Sequence, residues 1–182
     1  MNIAAIKKRC IEYGKCIIIT NGSEQWIGTG REFYPVQGVR LTAESIPGLF
    51  GMTRKEQDEL EIRAEENALQ ELLTGCITNE DEPCAEKLIE VNFGTGVLHQ
   101  VIGKESGARR WYFVNGEVPA KRKDTRLELF MRGNCLVLAH GMIVEAVIGM
   151  LGKADQEQLE TELKILAGGD MEDESEIDQE HG

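Results

Sequence analysis

The stretch KCIIITNGSEQWIGTGREFYPV, residues 15–36, decides the fold. KCIIIT is short and β-branched, and Asn21-Gly22 is the two-residue turn whose twist best suits a β-hairpin. EQWIG (24–28) then returns as a second strand. EFYPV (32–36) extends the sheet as a third, with Pro35, which lacks an N–H, expected at an edge or an end. The glycine pair in WIGTGR also raises the question of a phosphate-binding loop. A dinucleotide fingerprint needs a third glycine opening a helix, and that position holds Phe33; the second GTG, at 94–96, has His99 there. Neither is followed by Lys-Ser or Lys-Thr. Both are therefore read as turns, and Trp26, Phe33 and Tyr34 are expected to cover the sheet or pack the first helix.

Upstream, Ile3, Ile6, Cys10 and Tyr13 recur at helical spacing and Gly14 is placed to end the helix. Downstream, Thr42 caps a short helix constrained by Pro47 and Gly48, and TRKE (53–56) is a capping box. The reading continues with a helix near 54–59, a short strand near 60–64, a helix over ENALQELL (66–73) and a loop over 74–84. Repeated short strands follow, KLIEVNF, GVLHQVIG, RRWYFV, RLELFMR and NCLVLAHG, separated by turns and expected to form an antiparallel meander. In ADQEQLETELKILAGG, Asp155 and Gln158 cap a helix whose Leu159, Leu163 and Leu166 share a face. The expected fold is α+β: a mostly antiparallel sheet of short strands and hairpins, an N-terminal helix, short middle helices and a C-terminal helix. One domain is expected over 1–168, with any subdivision near 74–84, and an acidic, flexible tail over 169–182.

Of the 182 residues, 41% are hydrophobic and 29% charged, the mix of a globular protein and not of a disordered one. The longest apolar run, MIVEAVIGML (142–151), is interrupted by Glu145 and falls short of the roughly 20 residues a membrane helix needs. MNIAAIKKRC lacks the apolar stretch of a secretory signal, so the cytoplasm is the expected compartment. Five cysteines, at 10, 16, 76, 84 and 135, form no CxxC pair and have no nearby histidine; reduced, mostly buried thiols are expected.

The net charge of −12 is unevenly spread: residues 53–90 carry −8 and 153–182 carry −9, while 104–132 carry +4. Such a chain is repelled by bare nucleic acid but steered toward basic surfaces, including the channels in which other proteins hold nucleic acid. Catalysis is not indicated. There is no G-x-S-x-G elbow, His99 and His140 lie in apolar strand sequence as core or half-buried residues, and the carboxylates sit in runs without DxD or ExxH spacing. No metal or cofactor is expected. ARRWYFVNGEVPAKRKDTR (108–126) joins Arg109, Arg110, Lys121, Arg122, Lys123 and Arg126 with Trp111 across an Asn-Gly turn. It is read as a basic sheet edge or, alternatively, as a hairpin that meets phosphates while an aromatic stacks on a base.

The order of residues in QWIGTGREFYPVQGVRLTAESIPGLFGMTRKEQDEL (25–60) resembles small prophage-encoded proteins of gut bacteria, in which a hairpin with a Gln-Trp pair leads through Gly and an aromatic-Tyr-Pro to a Leu-Thr-containing short helix. The pattern covers about residues 1–65. Length and composition also resemble a type II-A anti-CRISPR protein, an inhibitor of the RNA-guided DNA nuclease. The resemblance implies a non-enzymatic protein of the bacterial host cytoplasm that binds the guide-loaded nuclease stoichiometrically and blocks cleavage, with DNA or guide RNA as a secondary contact. It supplies no catalytic motif. Charge alone selects the contact residues: first the acidic face of Glu56, Asp58, Glu59, Glu61, Glu65 and Glu66, second the basic Trp111 hairpin. Two other readings stay open, a prophage accessory or structural protein and a small nucleic-acid-binding regulator using 108–126.

Overall fold

The computed structural model describes residues 3–93, 96–114 and 127–166. The protein is α+β. Helix α1 (Ile3–Tyr13) runs into strands β1 (Lys15–Asn21), β2 (Glu24–Gly28) and β3 (Glu32–Val36). A 3-10 turn (Ala43–Ser45) and helices α2 (Ile46–Phe50) and α3 (Arg54–Glu59) lead to β4 (Glu61–Glu66). Six more strands follow: β5 (Glu82–Phe93), β6 (Gly96–Gly103), β7 (Arg109–Val114), β8 (Glu128–Arg132), β9 (Cys135–His140) and β10 (Ile143–Gly149). All ten form one sheet in the order β4-β1-β2-β3-β10-β9-β8-β5-β6-β7. Residues up to Leu151 make one compact unit; a second begins at Gly152 and contains helix α4 (Lys153–Leu166).

The opening stretch folds as its residues dictate. Gly14 takes a φ of +64°, open to glycine at little cost, and ends α1 with its N–H on the Ile11 carbonyl at 3.1 Å. Asn21 pairs with Glu24 across the turn. Pro35 is tolerated because pairing of β3 with β10 stops at Phe33. The glycines of WIGTGR serve a tight reversal in which the Thr29 N–H donates to the Glu32 carbonyl at 3.0 Å. A Cβ on Gly28 would land on that carbonyl, and Gly30 has a φ of +93°.

Both faces of β1 are covered, which explains its unbroken apolar run. Cys16 and Ile18 join Ile6 and Cys10 of α1, Ile27, Tyr34, Leu41, Ile46 and Phe50 in one core. Ile17 and Ile19 join Trp26, Phe33, Val144 and Val147 in a second, which is closed by Leu73 with Ala68 and Ile77. The long segment between β4 and β5 is thus the cover of the second core.

The later strands differ from a simple meander. β8 pairs with β5 and not with β7, so β8-β9-β10 and β5-β6-β7 are two meanders joined through β5. The run from β10 to β7 then curls until its ends meet. Tyr112 of β7 bridges to Met150, the Leu151 N–H donates to the Trp111 carbonyl at 2.8 Å, and the Met150 N–H still bonds Asn134 beside β9 at 3.0 Å. Apolar residues 142–151, noted in the sequence only for their length, are the strand β10 that links the curled half to β3.

Three other expectations need correction. ENALQELL is not a helix: Glu66 is still paired with Thr20 in β4, Asn67 and Leu69 have φ of 55° and 52°, and only a single turn forms, with the Leu73 N–H on the Leu69 carbonyl at 2.8 Å. His140 is exposed at the end of β9. α4 begins before Asp155, which therefore lies in its first turn, where a negative charge suits the helix dipole. The acidic tail over 169–182 and the Asn115-Gly116 turn lie outside the described residues. No helix among the described residues is long and apolar enough to cross a membrane.

Candidate functional site

The acidic residues selected from the sequence lie on α3 and β4, and the structure gives them different settings. Glu56 is committed to the fold. It accepts the Thr53 N–H at 2.7 Å, while its own N–H donates to the Thr53 hydroxyl at 3.3 Å, and Lys7 of α1 reaches it at 2.9 Å. The Thr53 amide, with Lys7 behind it, holds this carboxyl down at about 2. Glu56 thereby fastens α3 to α1.

Asp58 and Glu59 stand exposed on α3, Glu59 within 3.7 Å of Lys55. On β4 the side chains alternate across the sheet. Ile62 packs against the first core, and Ala64 and Glu66 share its side; Glu61, Arg63 and Glu65 take the other. Glu61 is paired with Arg63. Among the described residues, Asp58, Glu65 and Glu66 have no ion-pair partner. Of the six acidic residues selected, they are the three free to meet charge from outside.

β4 is also a sheet edge. It runs parallel to β1, from Lys15↔Glu61 to Thr20↔Glu66. The Glu61 N–H donates to Gly14 and the Asn67 N–H to Thr20, at 3.0 and 2.9 Å. With a period of two, the odd-numbered positions face β1. Ile62, Ala64 and Glu66 therefore turn their backbone N–H and C=O groups away from the sheet, and no described residue bonds them.

Of the basic set, Arg109 is exposed and Arg110 half-buried on β7. Trp111 is enclosed, 2% exposed, so its ring is not presented for stacking on a base. Lys121, Arg122, Lys123 and Arg126 lie outside the described residues. Trp26, Phe33 and Tyr34 are all buried as core residues.

Three polar clusters were not visible in the sequence. At the first, Glu32, 1% exposed, accepts Arg9 Nε at 2.8 Å and the Tyr34 hydroxyl at 3.1 Å, joining α1 to β3. Burial, then the Glu32 charge, push the Tyr34 phenol up. At the second, Arg132 of β8 donates to both oxygens of buried Asp81 at 2.6 Å and to the carbonyls of Leu72, Thr74 and Cys76 at 2.9, 3.3 and 2.9 Å. It staples the cover of the second core. Burial alone would raise the Asp81 carboxyl, but the Arg132 guanidinium and the Thr78 amide outweigh it and hold it below the usual range.

The third cluster is built by a β-bulge. The β5–β6 register shifts between Lys87 and Glu90, which sets Glu90 opposite His99 while Glu86 stays opposite Val101. His99 Nδ1 meets Glu86 and Nε2 meets Glu90, the latter at 3.1 Å, and the Tyr112 hydroxyl donates to Glu86 at 2.7 Å. Burial and the hydrogen bond to Glu86 push the Tyr112 phenol up. His99 is half-buried, as its sequence context suggested. The carboxylates hold both ring nitrogens, and the cluster locks three strands together.

A cavity of about 290 Å³ opens beside Thr20, Ser23, Gln25 and Arg40. Gly28 and Gly30 do not line it. Among the described residues no group of three or more His, Cys, Asp or Glu side chains is arranged to hold a metal ion. All five cysteines are free, with Cys10, Cys16 and Cys84 buried, Cys135 half-buried and Cys76 exposed. Comparison of the chain with known protein families, curated proteins and solved structures finds no match.

Proposed function

We propose that this chain is a phage-derived, non-enzymatic inhibitor that binds a guide-loaded type II RNA-guided DNA nuclease in the host cytoplasm and blocks DNA cleavage. The observation that carries the reading is the α3–β4 edge, where exposed Asp58, Glu65 and Glu66 have no ion-pair partner among the described residues, on elements fixed to β1 and α1. A rigid acidic edge on a chain of net charge −12 suits a basic channel that normally holds nucleic acid. Obstruction of that kind needs no catalytic group.

The test mixes the purified protein with guide-loaded nuclease and target DNA. Cutting should fall in proportion to added protein and cease near equimolar ratio. Undiminished cutting at large molar excess would defeat the proposal. Retardation of DNA by the protein alone would instead favour a nucleic-acid-binding role for the segment around Arg109 and Arg110.

A further inference from the structure

The exposed acids explain attraction to a basic surface, but not the geometry of the contact. β4 adds that geometry. Ile62, Ala64 and Glu66 present N–H and C=O groups that no described residue bonds along an open edge, a template for one more strand. Beside that template, Glu61, Arg63 and Glu65 line one side, while half-buried Ile62 and small Ala64 line most of the other. Charge on β4 discourages a second acidic edge, including another copy of itself. With Glu61 held by Arg63, the open charge is Glu65 on one side and Glu66 at the end of the other, so the edge favours a strand whose basic side chains fall on the Glu65 side and whose apolar ones fall beside Ile62 and Ala64.

We propose that β4 is extended by one strand from the partner protein, an extended segment with lysine or arginine at alternate positions and β-branched apolar residues between them. This rests on the α3–β4 edge being the contact face, and it adds that main-chain hydrogen bonds from Ile62, Ala64 and Glu66 form the join. The nearby carboxylate of Asp58 on α3 supplies steering charge.

Two measurements on the intact protein test it. The first is amide hydrogen exchange with and without a short peptide alternating Lys and Val. Protection of the Ile62, Ala64 and Glu66 amides should rise at least tenfold on binding, while Arg63 and Glu65, already bonded to β1, change little. The second compares that peptide with one of the same sequence whose backbone amides are N-methylated, which keeps charge and removes donors. Its affinity should fall at least tenfold. Equal affinity, or no added protection at the three amides, would overturn strand addition.

The nuclease separates this inference from the functional proposal. Inhibited cleavage with no new protection on β4 leaves the function standing and removes the added strand. Protection by the peptide without inhibition of cleavage does the reverse. Ala64→Pro gives a further check, since it removes an outward N–H and no bond to β1; if it unfolds, the exchange result on the parent protein still decides.

Discussion

Arg132 and Asp81 lie 51 residues apart in sequence, and their pairing holds the cover of the second core in place. Replacing Arg132 by alanine leaves Asp81 buried and unpaired and releases three carbonyls. A loss of about 3–5 kcal/mol is expected, read as a shift in urea midpoint; a loss below about 1 kcal/mol would mean the segment is held by packing alone. The pH dependence follows from the same pair. Because the folded Asp81 carboxyl lies below its unfolded value of about 3.9, the unfolded chain binds more protons in acid. Its stabilising contribution is complete above that value and lost as pH falls through the folded one. The stability gap between the parent and Asp81→Asn should therefore be wide at neutral pH and narrow toward pH 3; an unchanged gap would assign the effect to other groups. Local features were legible at this scale. Asn21-Gly22 and Thr53-Glu56 act through neighbours a few residues away, whereas Arg132–Asp81 joins residues 51 apart and Glu86–His99 depends on the register that the β5–β6 bulge sets.

At the scale of elements, the β-hairpin over 15–28 was readable because its apolar run and its turn agree. ENALQELL misleads because its helix-favouring composition is local, while pairing of Glu66 with Thr20 and burial of Leu73 over the second core decide the backbone. β10 escaped notice because an apolar run buried on both sides lacks alternation. Trp26 shows what the second core contributes. It is 0% exposed beneath Leu73, so Trp26→Ala should cost about 3–5 kcal/mol. It should also expose the 67–77 segment to proteolysis before the rest of the chain. Uniform cleavage sites in parent and variant would show that the segment does not depend on this ring. Gly28→Ala tests the turn of WIGTGR separately: a Cβ there meets the Glu32 carbonyl, and a loss of roughly 1–3 kcal/mol is expected in the same denaturant titration. An unchanged midpoint would mean that the turn can yield.

Over the whole molecule, charge was legible as a total and as blocks along the chain, but not as a surface. The six acidic residues chosen from sequence form no uniform face. Glu56 is a helix cap tied to Lys7, Glu61 pairs with Arg63, and the alternation of β4 parts Glu65 from Glu66. Only folding shows which carboxylates remain for a partner. The contact is therefore expected to weaken with salt, since exposed charges interact within a Debye length of about 10 Å at 0.1 M.

The decisive measurement is the affinity of the protein for immobilised, guide-loaded nuclease, parent against a variant with Asp58, Glu65 and Glu66 each changed to lysine, at low and moderate salt. Binding by the parent should weaken with salt, and the variant should bind at least tenfold more weakly, about 1.4 kcal/mol or more. Equal affinity of the two proteins, or no binding by the parent, would contradict the assignment of the α3–β4 edge as the surface through which this chain acts.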